Sequence, residues 1–222
     1  MLVYMVANCN YVNDKKLTKS TAGSSILTLP GFVLKSAQAC SLKTENNNEK
    51  NMAKLTFKPG NDEIIINTSG ELPVVGSKAP DFSLVDGRLN ELTLATYAGK
   101  RKILNIVPSL DTPVCAASAR AFNEKATRFD NTVLLMVSAD LPFAQGRFCE
   151  AEGLKEVIPL STFRSSFADD YGVRLLDSML AGLTARAVVI IDENDRVIYT
   201  ELVTEITHEP DYDEAMQVLK DL

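Results

Sequence analysis

Two apolar segments separated by a helical stretch restrict the fold of this chain more than any other feature. KILNIV (102–107) and TVLLMVS (132–138) are short, mostly apolar runs typical of buried strands. A helical pattern covers 113–129 between them, and a second covers 142–152 and stops at Gly153. The order strand, helix, strand, helix predicts an α/β fold.

Further elements extend this order in both directions. They are a hairpin of strands 54–58 and 63–67 around PGND, a strand at 157–160, a helical turn at 164–171, a hairpin of strands 187–191 and 196–203 across DEND, and a helix at 211–222. Proline cannot donate a ladder hydrogen bond, so Pro159 predicts an edge position for strand 157–160. Together these elements predict a mixed central sheet.

The first 51 residues differ from the rest in charge. They carry a net charge of +3, whereas residues 52–222 carry −9, and the polar run TENNNEKN (44–51) is typical of a linker. We therefore predict one domain over 52–222, preceded by a disordered or non-native extension over 1–51. The apolar stretch 26–34 resembles part of an export signal, but Pro30 and Gly31 break it. We expect a cytoplasmic protein, or a periplasmic one if residues 1–51 act as a targeting segment.

Composition excludes several kinds of function. The net charge of −6 over 222 residues argues against a nucleic-acid partner, and no run of about 18 apolar residues predicts a membrane span. His208 is the only histidine, so one chain cannot supply a three-histidine metal site. The four cysteines are scattered and do not have zinc-site spacing. The remaining chemical candidates are the thiols Cys9, Cys40, Cys115 and Cys149, of which the first two lie in the extension.

Cys115 stands at the predicted start of a helix. Thr112 is a good N-cap residue and Pro113 suits the first helical position, which makes Cys115 the third. A sulfur there lies among unpaired backbone N–H groups at the positive helix end, and these favour its ionised form. Because Asp111 is a negative neighbour that opposes this effect, we expect another cation nearby.

A packing role for Cys115 is an equal alternative from position alone. Buried free cysteines are common, and there is no Cys-x-x-Cys pair because Ser118 occupies the second place. One apolar stripe along the helix contains Cys115, Ala119, Phe122, Ala126 and Phe129.

Longer motifs resemble one known family. Pro108, Thr112 and Cys115 have the spacing of the peroxiredoxin active site, and NIVPSLDTPVC (105–115) is similar to the thiol peroxidase branch of that family. Matching segments continue along residues 53–222. They are GSKAPDF (76–82), SADLPFAQGRFC (138–149), LTARAVV (183–189) and EPDY (209–212).

The resemblance implies a role for each of five residues. Cys115 is the expected peroxidatic cysteine, and Cys149 the expected resolving cysteine that forms an intramolecular disulfide with it. Thr112 is expected to orient the peroxide and the sulfur, and Pro108 to shield the pocket from water. Arg186 is the expected cation. The implied fold is thioredoxin-like, with a mixed sheet flanked by helices and an N-terminal β-hairpin.

The resemblance also implies an activity and partners. We expect a thioredoxin-dependent peroxidase that reduces hydrogen peroxide and alkyl or lipid hydroperoxides through a Cys115 sulfenic acid. We expect no cofactor, thioredoxin as the electron donor, and a homodimer. Two alternatives stay open. One is a cysteine hydrolase or transferase, which would need His208 as its base. The other is a non-enzymatic thioredoxin-like binding or chaperone module.

Overall fold

The computed structural model describes residues 52–126 and 128–221, without the side chain of Ala126. The predicted extension, residues 1–51, lies outside the described residues. In chain order the elements are β1 (Lys54–Phe57), β2 (Ile64–Asn67), β3 (Leu84–Val85), β4 (Glu91–Leu92), a 3-10 turn (Leu94–Tyr97), β5 (Arg101–Ile106), α1 (Pro113–Ala126), β6 (Thr132–Ser138), α2 (Pro142–Glu152), β7 (Val157–Ser161), α3 (Phe167–Asp170), β8 (Ala187–Ile191), β9 (Val197–Leu202) and α4 (Tyr212–Lys220).

The central sheet has seven strands in the order β4-β3-β7-β6-β5-β8-β9. Strands β5, β6 and β7 run parallel, and the remaining pairs are antiparallel. The predicted mixed sheet is therefore confirmed. Strands β1 and β2 form a separate antiparallel hairpin, as predicted for residues 54–67.

The prediction of an edge position for β7 is wrong. Strand β7 lies inside the sheet, between β6 and β3. The argument from Pro159 nevertheless holds locally, because Pro159 pairs with Met136 of β6 while β3 pairs with β7 only at Ser161. Because β3 does not pair with Pro159, the proline nitrogen, which cannot donate, removes no ladder hydrogen bond on that side. Strands β3 and β4 were not predicted, because two-residue strands contain no periodicity.

Alternate residues of the central strands enter two separate hydrophobic clusters, as strand geometry requires. Leu104 of β5 and Leu135 of β6 belong to the cluster that also contains residues of the β1–β2 hairpin and α3. Ile103 and Leu134, their neighbours in sequence, belong to the other cluster, together with residues of α1, α2 and α4. Both Cys115 and Cys149 belong to this second cluster.

Local signals explain where the helices begin and end. Helix α1 begins at Pro113, and α2 is followed by Gly153, whose left-handed backbone (φ 65°) suits glycine at a helix end. Helix α4 follows Asp211, whose carboxylate accepts hydrogen bonds from the N–H groups of Asp213 and Glu214. No helix in the described part of the chain has the length and apolarity to cross a bilayer.

Candidate active site

The loop between β5 and α1 positions the start of the helix. Pro108 is buried in this loop, directly after Val107, whose N–H extends the pairing with β6 by bonding Val137 O at 2.9 Å. The carbonyl of Thr112 accepts the first helical hydrogen bond, from the N–H of Ala116 at 2.9 Å. Thr112 is therefore the N-cap residue that the sequence indicates.

The Thr112 hydroxyl contacts both the loop and the helix. It accepts from the N–H of Cys115 at 3.4 Å and donates to the carbonyl of Ser109 at 3.3 Å. Cys115 is therefore the third helical residue, and its backbone N–H is paired with the cap. The Cys115 side chain has no exposed surface.

Arg186 contacts the sulfur of Cys115. Its Nη1 lies 3.4 Å from Cys115 Sγ, and its Nε donates to the carbonyl of Ile206 at 3.0 Å. The Arg186 side chain is buried, with 3% of its surface exposed. The structure thus places a cation where the sequence required one to offset Asp111.

Sheet register brings Arg186 to this position from 71 residues away in the chain. Ala187, the first residue of β8, pairs with Ile106 at the end of β5. Arg186 therefore lies beside the loop that leaves β5. Thr184 strengthens the same corner, since its hydroxyl donates to the carbonyl of Val107 at 2.6 Å.

Cys149 lies on α2, on the same side of the sheet as Cys115. Its side chain is 9% exposed, and both cysteines are free thiols. Burial raises the pKa of the Cys149 thiol above its ordinary value, because an apolar environment disfavours the charged thiolate. The resting structure therefore holds Cys149 as a neutral, packed thiol on a complete helix.

A cleft of about 580 Å³ lies between the start of α1 and α2. Its lining includes Thr112, Pro113 and Ala116 from the region around Cys115, and Arg147 and Phe148 from α2. The Arg147 side chain is exposed. The cleft reaches the first turn of α1 from outside, while the sulfur itself stays covered.

Comparison with known proteins identifies the family. The family model described as Redoxin matches residues 74–216. The thiol peroxidase of Corynebacterium glutamicum is 51% identical over 168 residues, which cover 76% of this chain and 99% of that protein. The thiol peroxidase of Mycobacterium bovis is 53% identical with the same coverage. The chain belongs to the peroxiredoxin family, in its thiol peroxidase branch.

A solved structure supports the fold of this peroxiredoxin. The peroxiredoxin-like protein from Aquifex aeolicus superposes with a TM-score of 0.70 at 37% identity, covering 77% of this chain and 98% of that one. The predicted thioredoxin-like fold is thereby confirmed. The predicted activity, thiol-dependent reduction of peroxides, is confirmed by membership of the thiol peroxidase branch.

His208 and Arg120 of the peroxiredoxin contact carboxylates rather than Cys115. His208 has a side chain that is 72% exposed, and its Nε2 lies 3.2 Å from a carboxylate oxygen of Glu205. Arg120 of α1 forms an ion pair of 2.5 Å with Glu152 at the end of α2. Across residues 52–126 and 128–221, no group of three or more His, Cys, Asp or Glu side chains is arranged to hold a metal ion.

Sequence reasoning did not single out Asp140, although it lies within the segment SADLPFAQGRFC. Its carboxylate accepts three hydrogen bonds, from the hydroxyls of Ser109 and Ser138 and from the N–H of Leu110, all at 2.7–2.8 Å. Ser109 and Leu110 belong to the loop before α1, about 30 positions earlier in the chain. These groups meet only in the folded protein, so the spacing of residues along the sequence does not predict that they interact.

Proposed function

We propose that Cys115 is the peroxidatic cysteine, prepared by Arg186, Thr112 and Pro108, and that Cys149 resolves it. The 3.4 Å contact between Arg186 Nη1 and Cys115 Sγ carries the proposal. A guanidinium buried against one sulfur and one carbonyl favours a negative charge on that sulfur, because a buried cation needs a partner. A cysteine that served only to pack the core would not require a buried arginine beside its sulfur.

In the first step the Cys115 thiolate attacks the terminal oxygen of the hydroperoxide. The O–O bond breaks, an S–O bond forms, and the alcohol or water leaves after taking up a proton. The sulfur is oxidised to a sulfenic acid while the peroxide is reduced. The Arg186 guanidinium and the N–H groups at the start of α1 stabilise the charge that develops on the peroxide oxygens. Buried Pro108 keeps water from this corner.

In the second step the Cys149 sulfur attacks the Cys115 sulfenic acid. An S–S bond forms, the S–OH bond breaks, and water leaves. Both sulfurs are buried and each stands on a helix, so we expect this step to involve unwinding of the first turn of α1 and of α2. A thioredoxin-type dithiol then restores both thiols by exchange, becoming a disulfide itself.

The cleft between α1 and α2 supports organic hydroperoxides as substrates beside hydrogen peroxide. Leu110, Pro113 and Phe148 give it apolar walls that suit an alkyl or lipid chain. The volume of about 580 Å³ exceeds what hydrogen peroxide needs. Cys115 is not in the lining, so the substrate reaches the sulfur by a small displacement of the first turn of α1.

The assembly and location of the enzyme are part of the proposal. We propose a homodimer in the cytoplasm that is reduced by thioredoxin, with export to the periplasm if residues 1–51 act as a targeting segment. Sedimentation analysis of the purified protein tests the homodimer. N-terminal sequencing of the natural protein tests the role of residues 1–51.

Titration of the reduced protein with one equivalent of an organic hydroperoxide tests the catalytic assignment. We expect rapid loss of two of the four thiols and a disulfide between Cys115 and Cys149 in peptide mapping. Cys115→Ser should abolish turnover. Cys149→Ser should consume one equivalent and stop at the sulfenic acid. Thiols that persist for minutes, or loss of two thiols in Cys115→Ser, would contradict the assignment.

Replacement of His208 separates this chemistry from that of a cysteine hydrolase. A hydrolase would need an imidazole base beside Cys115. The exposed His208 contacts Glu205, whereas the buried Cys115 contacts Arg186. We expect His208→Asn to change the peroxidase rate by less than about twofold, within the range of a surface substitution. A large loss of peroxidase activity would overturn the assignment of Arg186 as the activating group.

A further inference from the structure

Asp140 connects the two segments that carry the reactive cysteines. It lies just after β6 and two residues before α2, while its carboxylate reaches the loop before α1. Ser109 Oγ donates to Oδ1 at 2.8 Å, and the Leu110 N–H donates to Oδ2 at 2.7 Å. Because hydrogen bonds to a carboxylate are stronger than neutral ones, this contact fixes the loop that leads to Thr112 and Cys115.

A second set of contacts joins the same carboxylate to α2. Ser138 Oγ donates to Asp140 Oδ2 at 2.8 Å and accepts from Gln145 Nε2 at 2.9 Å. Gln145 Nε2 also donates to the carbonyl of Leu160 of β7 at 3.0 Å. Gln145 is fully buried and lies one turn before Cys149 on α2. The helix is therefore tied to β6 and β7 at the turn that precedes its cysteine.

The Gln145 side chain is satisfied on one side only. Its Oε1 is buried and has no hydrogen-bond partner among the described residues. The amide orientation follows from the Leu160 carbonyl, which requires a donor. A buried acceptor without a donor destabilises the folded helix, because it has lost its hydrogen bonds to water. Unwinding of α2 would expose Gln145 Oε1 to water and remove this penalty. Gln145 therefore holds α2 through the two hydrogen bonds of its Nε2, while its Oε1 makes none among the described residues.

We propose that Asp140 is a positioning residue that favours peroxide attack and delays disulfide formation. It holds the Ser109–Leu110 loop in the arrangement that places Cys115 beside Arg186. Through Ser138 and Gln145 it also holds α2 in the helical form, in which Cys149 is packed away. The inference rests on the proposed roles of Cys115 and Cys149. Release of the Asp140 contacts is then part of the step in which water leaves and the disulfide forms.

Rapid-quench kinetics with hydrogen peroxide tests the proposal by following the two steps separately. The chain has no tryptophan, so the sulfenic acid and the disulfide are measured by mass spectrometry after trapping. Hydrogen peroxide is chosen because Asp140 also lines the cleft, and the smallest substrate minimises any contact there. The variants are Asp140→Ala, Asp140→Asn and Gln145→Met. Ser161→Ala is the matched control, since Ser161 Oγ donates to the main-chain carbonyl of Asp140 and accepts from the Phe163 N–H, without contacting the Asp140 carboxylate.

The two steps should respond in opposite directions. We expect Asp140→Ala to slow sulfenic acid formation by about tenfold and to speed disulfide formation several-fold, because each step gains or loses on the order of one hydrogen bond. Gln145→Met should speed disulfide formation and leave the first step unchanged. Asp140→Asn keeps one acceptor oxygen and should lie between Asp140→Ala and the wild type. Ser161→Ala should change neither step.

Other results would overturn the proposal. If Asp140→Ala and Asp140→Asn slow both steps equally, or alter neither, Asp140 has a general structural role. If Asp140→Ala fails to fold, the Asp140→Asn and Gln145→Met variants decide by the same criterion. A wild-type protein that forms no sulfenic acid on Cys115 would overturn the proposed function itself, and is distinguished because the wild type is measured first.

Discussion

The electrostatic effect of Arg186 on Cys115 depends on the burial of both side chains. Arg186 directs Nε to a carbonyl and Nη1 to a sulfur, with almost no exposed surface. Solvent therefore screens this cation little, and its effect on the sulfur is stronger than that of a surface charge. The rate of peroxide attack should depend on Arg186 more than on any exposed arginine.

Replacement of Arg186 by methionine tests this dependence. We expect Arg186→Met to lower the second-order rate of Cys115 oxidation by about 10²-fold or more, the loss typical for one preorganised donor. Arg196→Met is the matched control, because Arg196 is exposed and bonds the carbonyl of Gly76 at 3.0 Å. The measurement is competition for limiting peroxide, and equal rates in the two variants would contradict the role of Arg186.

At the scale of elements, α2 carries Cys149, the proposed resolving thiol, in a neutral form whose contribution to stability depends on alkaline pH. Burial raises the pKa of Cys149, so the folded state binds this proton more tightly than the unfolded chain. The resulting stability is complete below the ordinary thiol pKa of about 8.5 and is lost as pH rises through the raised value. Reduced α2 should therefore become less stable in alkali.

Urea unfolding of the reduced protein at about pH 7 and about pH 10 measures this effect. We expect the free energy of unfolding to fall less between these pH values in Cys149→Ala than in the wild type. Burial also raises the pKa values of Tyr199 and Tyr212, but both phenols are present in both proteins. An equal fall in the two proteins would show that Cys149 contributes nothing to the alkaline loss.

Elements with strong local signals were predictable from the sequence, and those that depend on distant contacts were not. Gly153 ends α2 and an apolar run defines β6, so both were predicted with the bounds that the structure shows. The position of β7 inside the sheet depends on β3, which consists of two residues. In the site, Thr112 and Cys115 were placed by local capping signals. Arg186 was found through the family motif alone, and Asp140 was missed.

At the scale of the whole molecule, the sheet separates the chemistry from most of the remaining core. Both cysteines pack in the cluster with α1, α2 and α4. The opposite cluster contains residues of the β1–β2 hairpin and α3. In it the ring of Phe167 of α3 stacks on that of Tyr171, the residue after this helix, with the ring centroids 4.3 Å apart. The proposed unwinding of α2 should therefore disturb one face of the sheet while the other face keeps its packing.

Amide hydrogen exchange of the reduced and disulfide forms tests this separation. On oxidation we expect protection to fall in the first turn of α1 and through much of α2, because we propose that both helices unwind for the disulfide to form. Protection in β5, β6, β8 and the β1–β2 hairpin should stay unchanged. Unchanged protection of α2 in a verified disulfide form would contradict the expected unwinding.

The complete burial of the Cys115 sulfur also limits what can reach it. A thiolate in open solvent reacts with alkylating electrophiles as well as with peroxides. Here a slender oxidant needs only a small opening of the helix start, whereas a bulky electrophile needs the larger rearrangement that follows oxidation. The covered sulfur should thus resist adventitious modification in its resting state, so that the enzyme stays available for peroxide amid many other reactive small molecules.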